Sequence, residues 1–420
     1  MLSFRESLRF LLYFSRLCGL APISVDFRGS GTISSSRLGI IYSILVAIAY
    51  GSFHVASSIF NLSEKEEHNI ITNVINYYNR YSRLVLFWVC IGNALINQRR
   101  IIQTFNLIEN VDKLFATELN IHSNHAKFSR LVFLEIFIYL LSVFALEWNN
   151  CLMYISGIGI FNNYCMSMCL IPLIVATADQ ILFINLVYLI KERLAIISGF
   201  LTTKQRRVIK VKEGHKINGH LLKTVHMLYH FEHEVENLKV KMVQSKNTRV
   251  YIKTASVGYS RLYEASNLLN CAYGIPNAYT IFIRFVSLTT LAYSSCMRVL
   301  RLDDNDAEHI KKVPGIIGWI MLNFTEMLIF CLMCHRMKEE AAIIGRQLQC
   351  FRVENCHAPD VDEAIGVFSH QIHHQRIEIT PCGFFTVDLS FIFALIATVT
   401  TYIMILIQFD ISQKQLVNQK

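Results

Sequence analysis

Residues 383–409 read GFFTVDLSFIFALIATVTTYIMILIQF, a run of 27 positions in which Asp388 is the only charged side chain. A helix rises about 1.5 Å per residue, so about 20 apolar residues cross the roughly 30 Å hydrocarbon core of a bilayer. The run is long enough to span a membrane and too apolar to rest in water. Working outward from it, six further stretches have the same character: Leu38–Phe60, Asn76–Asn97, Arg130–Trp148, Tyr164–Ile190, Leu268–Met297 and Val313–Met337. The second is the least regular, because Arg80 and Arg83 interrupt its first half. It is retained because Leu84 to Ile96 is strongly apolar and charged side chains near a helix end snorkel to the interface. Composition agrees: 53% of the 420 residues are hydrophobic and 17% are charged, against about a quarter charged in soluble chains. The expectation is an all-α, multi-pass membrane protein with seven transmembrane helices.

Basic residues are retained on the cytoplasmic side, which orients the spans. Five lysines and arginines precede the first span, four lie in the second connection and fifteen in the fourth, against one in the first connection and none in the third. The rule weakens for long connections, but setting the fourth aside leaves the excess on the same side. The N-terminus is therefore expected inside and, after seven spans, the C-terminus outside. This divides the chain into a cytoplasmic lead-in (1–37), spans one to four (38–190), a cytoplasmic helical connection (191–267), spans five and six (268–337), a second cytoplasmic segment (338–382), the last span (383–409) and an extracellular tail (410–420). Asn61-Leu62-Ser63 is a glycosylation sequon on the outer side in this topology.

The formal charge of +9 does not indicate nucleic acid, because the basic residues gather in connections and form no nucleic-acid motif. Twelve cysteines lack the regular spacing of a disulfide framework and mostly fall in apolar stretches. Met1 to Pro22 is broken by Arg5, Arg9 and Arg16, which fits an amphipathic lead-in helix rather than a signal peptide. No phosphate loop, nucleophile elbow or metal-plus-base motif stands in a suitable context, so neither an enzyme nor a cofactor site is expected.

The last span closes on Thr401-Tyr402, five hydrophobic residues, then Gln408-Phe409. This resembles the signature of insect gustatory receptors, chemoreceptor channels related to insect odorant receptors. Four fixed residue types match by chance in a chain of this length on the order of one time in a thousand. Gly19-Leu20-Ala21-Pro22 is similar to the family's start but far less specific. The resemblance covers the whole chain in architecture and its last span in sharp sequence. It implies a ligand-gated cation channel opened by a small-molecule tastant, assembled as a homo- or heterotetramer with other such subunits in the plasma membrane of sensory neurons. It also implies that the last helix lines the pore, with Thr401, Ile405, Gln408 and Phe409 at its constriction. Helical geometry independently puts Thr401, Ile405 and Phe409 on one face with Gln408 beside them. Around an axis they form apolar and carboxamide rings suited to gating; alternatively, Gln408 and Phe409 anchor the helix in the headgroups. The sugar-receptor branch usually carries Glu after Thr-Tyr, whereas this chain has Ile403, which favours a bitter-type or other non-sugar ligand.

Leu221, Val225, Leu228, Phe231, Val235, Leu238 and Met242 repeat at spacings of four and three, a seam for helix packing. The resemblance places this seam in an intracellular anchor domain, together with Lys338 to Gln349 and the start of the last helix around Phe384 to Leu389. His226, His230 and His233 have chelating spacing, but no further ligand completes a zinc site. His370, His373 and His374, and Cys331 with Cys334, are read the same way, as solvation and packing. Glu135, Asp179, Arg284 and Glu326 lie within spans, where interhelical pairing, such as Arg284 with Glu326, is their natural role. Tyr78, Tyr81, Trp148, Thr290, Tyr293 and Trp319 are candidates for an outer, mostly apolar ligand pocket, and each also suits an interfacial belt.

Two other classes share many helices. A G-protein-coupled receptor has the opposite topology, and here the third span ends Ala145-Leu146-Glu147-Trp148 without an Asp-Arg-Tyr-like triplet. A transporter is expected to show internal repeats and broken helices; Pro172 and Pro276 are the candidate breaks, but no repeat accompanies them. A C-terminal tag should be stained on intact cells and an N-terminal tag only after permeabilisation; the reverse pattern would overturn the orientation.

Overall fold

The computed structural model describes residues 3–25, 33–60, 70–154, 170–212, 248–300, 307–354 and 359–418. Asn61, the histidines His226, His230 and His233, and the seam from Leu221 to Met242 lie outside the described residues. The chain begins with α1 (Phe4–Ser7) and α2 (Arg9–Leu17), and a short antiparallel pair, β1 (Ile23–Ser24) with β2 (Ser34–Ser35). Then come α3 (Arg37–Phe60), α4 (Ile70–Ile96), α5 (Gln98–Leu114), a π turn (Phe115–Leu119), α6 (His125–Tyr154) and α7 (Ile171–Lys212). The remainder is α8 (Thr248–Leu300), α9 (Ala307–Glu354), α10 (Pro359–His374), a 3-10 turn (Pro381–Gly383) and α11 (Leu389–Asn418).

Six helices are long and apolar enough to cross a membrane: the stretches Arg37–Val55, His125–Trp148, Ile171–Thr202, Arg249–Met297, Val313–Arg352 and Leu389–Ser412. The shorter apolar stretch Tyr81–Ile96 of α4 makes a seventh, the one that the arginines weakened in the sequence. Helices are the natural form for such runs, because hydrocarbon leaves backbone N–H and C=O groups only intrahelical partners. The spans are layered around α7, whose apolar window is 78% buried, against 22% for those of α3 and α6. Ile41, Leu45 and Ile48 on α3 and Phe133, Phe137, Ile138 and Leu141 on α6 stand exposed. So much contiguous apolar surface suits lipid rather than water.

At the end of the bundle where α5 and α10 lie, the helices run beyond any membrane thickness and pack as in a soluble protein. The connection 98–129, notable in the sequence only for its basic residues, folds into α5 along α8. Ile101, Phe105 and Ile108, spaced four and three, share a core with Tyr259, Leu262 and Leu269 of α8. Gly258 lets the Phe115 ring close in, since a Cβ there would sit 2.8 Å from its Cε1. Ile344 and Leu348 of α9 and Phe368 of α10 extend the same core. Ion pairs hold its rim: Arg5 to Glu109 at 2.9 Å, and Arg193 of α7 to Asp112 of α5 at 2.5 Å. Asp112 also accepts from Ser123 Oγ at 3.0 Å, so its lone pairs are well used.

Three sequence expectations change. The last helix starts at Leu389, six residues later than the apolar run, because Cys382 and Gly383 take positive φ (51° and 74°) and Asp388 then caps the helix, accepting from the Ser390 amide at 3.1 Å. Phe384 to Asp388 is therefore a non-helical link. Pro172 and Pro276 break neither helix. Pro172 lies in the first turn of α7, and α8 continues through Pro276. Finally, the lead-in is two short helices followed by the β pair instead of one helix.

Asp112→Ala leaves the Arg193 guanidinium buried without its counter-charge and should cost about 3–5 kcal/mol, read as a lower thermal midpoint in detergent; an unchanged midpoint would refute it. The hydroxyl of Ser390, then Lys338 at 3.0 Å, hold the Asp388 carboxyl below the usual carboxylate range. Its contribution is therefore present above that range and lost as pH falls toward the lowered value. Asp388→Ala should cost about 1 kcal/mol and Asp388→Asn, which keeps the cap, less; equal midpoints for both would argue against the cap.

Candidate functional site

The last helix, α11, is the least packed of the candidate spans, with 11% of its apolar window buried. At 100° per residue, Ile392, Leu395 and Asp410 fall on one side, and all three are buried. That face lies against α8 and α9. Thr401, Ile405 and Gln408 fall on the opposite side and Phe409 at its edge, beside Tyr402; all four are exposed, Ile405 by 52% and Phe409 by 60%. The structure thus brings the four sequence candidates together on the face that this chain leaves uncovered.

The polar atoms on that face differ. Thr398, Thr400 and Thr401 each turn their hydroxyl back to a carbonyl four residues earlier, at 2.7, 2.9 and 3.0 Å. Those hydroxyls are satisfied within the helix and tolerate an apolar setting. The Gln408 carboxamide has no partner among the described residues, so it needs water, an ion or another chain. Tyr402, beside the stripe, meets Phe285 of α8 edge-on with ring centroids 5.7 Å apart.

Deeper in the bundle a polar layer ties four helices through α7. Arg284 of α8 pairs with Glu326 of α9, as the sequence suggested. It also donates to Asn323 Oδ1 at 2.7 Å and to Gln180 Oε1 of α7 at 3.4 Å. Asn185 of α7 donates to Glu135 of α6 at 2.8 Å, and Tyr139 of α6 shares a hydrogen bond with Thr177 of α7 at 2.5 Å. The Cys90 thiol of α4 hydrogen-bonds Asp179 of α7. The four charged residues singled out within spans, Glu135, Asp179, Arg284 and Glu326, are therefore engaged.

The pocket candidates divide. Thr290, Tyr293 and Trp319 are buried, Tyr78 is half-buried, and Tyr81 and Trp148 are exposed. Taking Arg284 with Asn323 as the level of contact, Trp319, Thr290 and Tyr293 stand about 6, 9 and 14 Å further toward the 301–306 connection, at about 1.5 Å per residue. Each of the three is buried, on the side of the polar layer toward that connection. Within α9 the Asn323 amide also donates to the Trp319 carbonyl at 2.8 Å. Tyr81 and Trp148 do not join them: Trp148 stacks on Phe144 at the exposed surface, at 6.0 Å. Sequence reasoning missed Gln180, Asn185 and Asn323. Their signal was present as carboxamides inside apolar runs, but charge drew attention first.

The geometry is that of a known architecture. The insect olfactory receptor OR5 from Machilis hrabei superposes with a TM-score of 0.64 at 16% identity, covering 96% of this chain and 98% of that one. Among curated proteins, the Drosophila melanogaster gustatory receptor for sugar taste 43a is 24% identical over 166 residues, 40% of this chain and 38% of the relative. The gustatory receptor for bitter taste 93a, also from Drosophila melanogaster, is 25% identical over 154 residues, 37% of this chain and 35% of the relative. The chain thus spans well under half the length of either. The family model described as 7tm Chemosensory receptor matches residues 8–413, nearly the whole chain, and the protein belongs to that family.

Proposed function

We propose that the protein is a subunit of a ligand-gated cation channel in which α11 lines the pore. The observation that supports this reading most directly is the uncovered face of α11, with Gln408 unpartnered among the described residues between Ile405 and Phe409. A single chain gains nothing from such a stripe in lipid, whereas several copies around an axis turn it into water-facing rings. The assembly is a homo- or heterotetramer in the plasma membrane of sensory neurons, with the N-terminus cytoplasmic and the soluble-like end acting as the anchor. Thr401, Ile405, Gln408 and Phe409 set the constriction.

The ligand is a small tastant held around Thr290, Tyr293 and Trp319; Tyr78 lies instead by Tyr279, and Tyr81 and Trp148, being exposed, are set aside. Binding shifts a closed–open equilibrium by no more than the ligand's preference for the open form. Relatives named for sugar and for bitter taste stand at 24% and 25% identity, so they do not choose between ligand classes. Ile403 supports a non-sugar compound.

Gln408→Ala and Phe409→Ala should each alter unitary conductance or resting leak while surface expression stays intact. Currents unchanged from the parent in both variants would remove α11 from the pore.

A further inference from the structure

Proline inside a helix leaves one carbonyl without its donor. In α8 that carbonyl belongs to Ala272, four residues before Pro276, and Ala272 is buried. The vacancy is filled from another helix. Asn97 Nδ2 donates to the Ala272 carbonyl at 3.3 Å, and the same amide donates to Asn93 Oδ1 at 2.7 Å. Asn97 is the residue at which α4 gives way to α5, with φ −96° and ψ 10°. Its own oxygen accepts from Arg100 at 2.6 Å, and Arg100 reaches the adjacent Cys271 carbonyl at 3.5 Å.

The same turns of α8 carry the link into α11. Asn270 donates to the Glu378 carbonyl at 2.8 Å and accepts from the Thr380 amide at 3.0 Å. Gly274 lets the link approach so closely that a Cβ there would stand 3.2 Å from the Cys382 nitrogen. Beyond the proline, Phe285 meets Tyr402. Thus α8 holds the segment leading into α11 on one side of Pro276 and the middle of α11 on the other.

From this we infer that Asn97 is a positioning residue for the pore helix: by standing in for the N–H that Pro276 lacks, it sets the course of α8 past the proline and, through the packing of α8 on α11 there, the placement of α11. The inference rests on the channel reading for its functional meaning, but its test does not need current. Asn97→Asp keeps the oxygen for Arg100 and removes the amide donor. Pro276→Ala restores a backbone donor to Ala272, which makes the Asn97 amide redundant there and only strengthens the helix.

In full-length chains carrying Phe285→Cys and Tyr402→Cys, the rate of oxidative cross-linking between these two positions reports the placement of α11. Adding Asn97→Asp should change that rate by at least about threefold, the scale of one hydrogen bond. In a Pro276→Ala background the same change should have little effect, and the thermal midpoints of the four chains should be non-additive in the same sense. Additive midpoints would exclude the latch. Coupled midpoints with an unaltered cross-linking rate would leave a purely local bond and overturn the positioning role. Either failure leaves the channel reading to its own measurement, the currents of the Gln408 and Phe409 variants.

Discussion

Hydrocarbon supplies no hydrogen-bond partner, so polar groups carried into the membrane have to be met by protein, water or an ion. This constraint explains the arrangement around α7. Its Thr177, Gln180 and Asn185 meet Tyr139, Arg284 and Glu135 from neighbouring helices, and Asn323 completes the shell of the Arg284 and Glu326 pair. An ion pair buried in this way contributes little net stability over well-packed apolar residues, but removing one member is costly. Its effect is to fix which helices meet and at what level. The threonines of α11 obey the same constraint by bonding their own helix, and the Ala272 carbonyl obeys it by recruiting Asn97.

The two ends of the bundle use different physics. At the end built from α5, α10 and the long extensions of α7, α8 and α9, apolar cores and ion pairs hold the helices together. At the other end the outer helices turn apolar faces outward and lipid replaces the missing neighbours. The last helix belongs to both. It is capped by Asp388 and tethered by Lys338 at its start, then loses most of its packing as it climbs. On the proposed reading, a helix fixed at one end and lightly held along its length is one that a modest ligand preference can reposition.

Much of the fold was legible in the chain because membrane spanning leaves a coarse record. Seven apolar runs, their lengths and the pairing of Arg284 with Glu326 follow from the cost of charge and bare backbone in lipid, which depends on residue type more than on neighbours. Helix α5 was less legible, since Ile101, Phe105 and Ile108 alternate with charges and read as a connection until α8 supplies the opposite face. The start of α11 was misplaced for a similar reason: Phe384 and Phe385 are as apolar as the helix that follows, and only the positive φ of Cys382 and Gly383 shows where the chain turns. Of the pocket candidates, Tyr81 and Trp148 look like Tyr293 and Trp319 in sequence, and burial alone separates them.

The sequence by itself determined the class of molecule, the number of crossings and the motif at the end of the last helix, because hydropathy and local motifs need no knowledge of what lies across the bundle. Tertiary structure alone decided which side of α11 is left uncovered, which aromatics lie inside, and that Asn97 serves a proline 179 residues away. Those depend on distances between segments remote in the chain, and hydropathy along a single helix does not encode them.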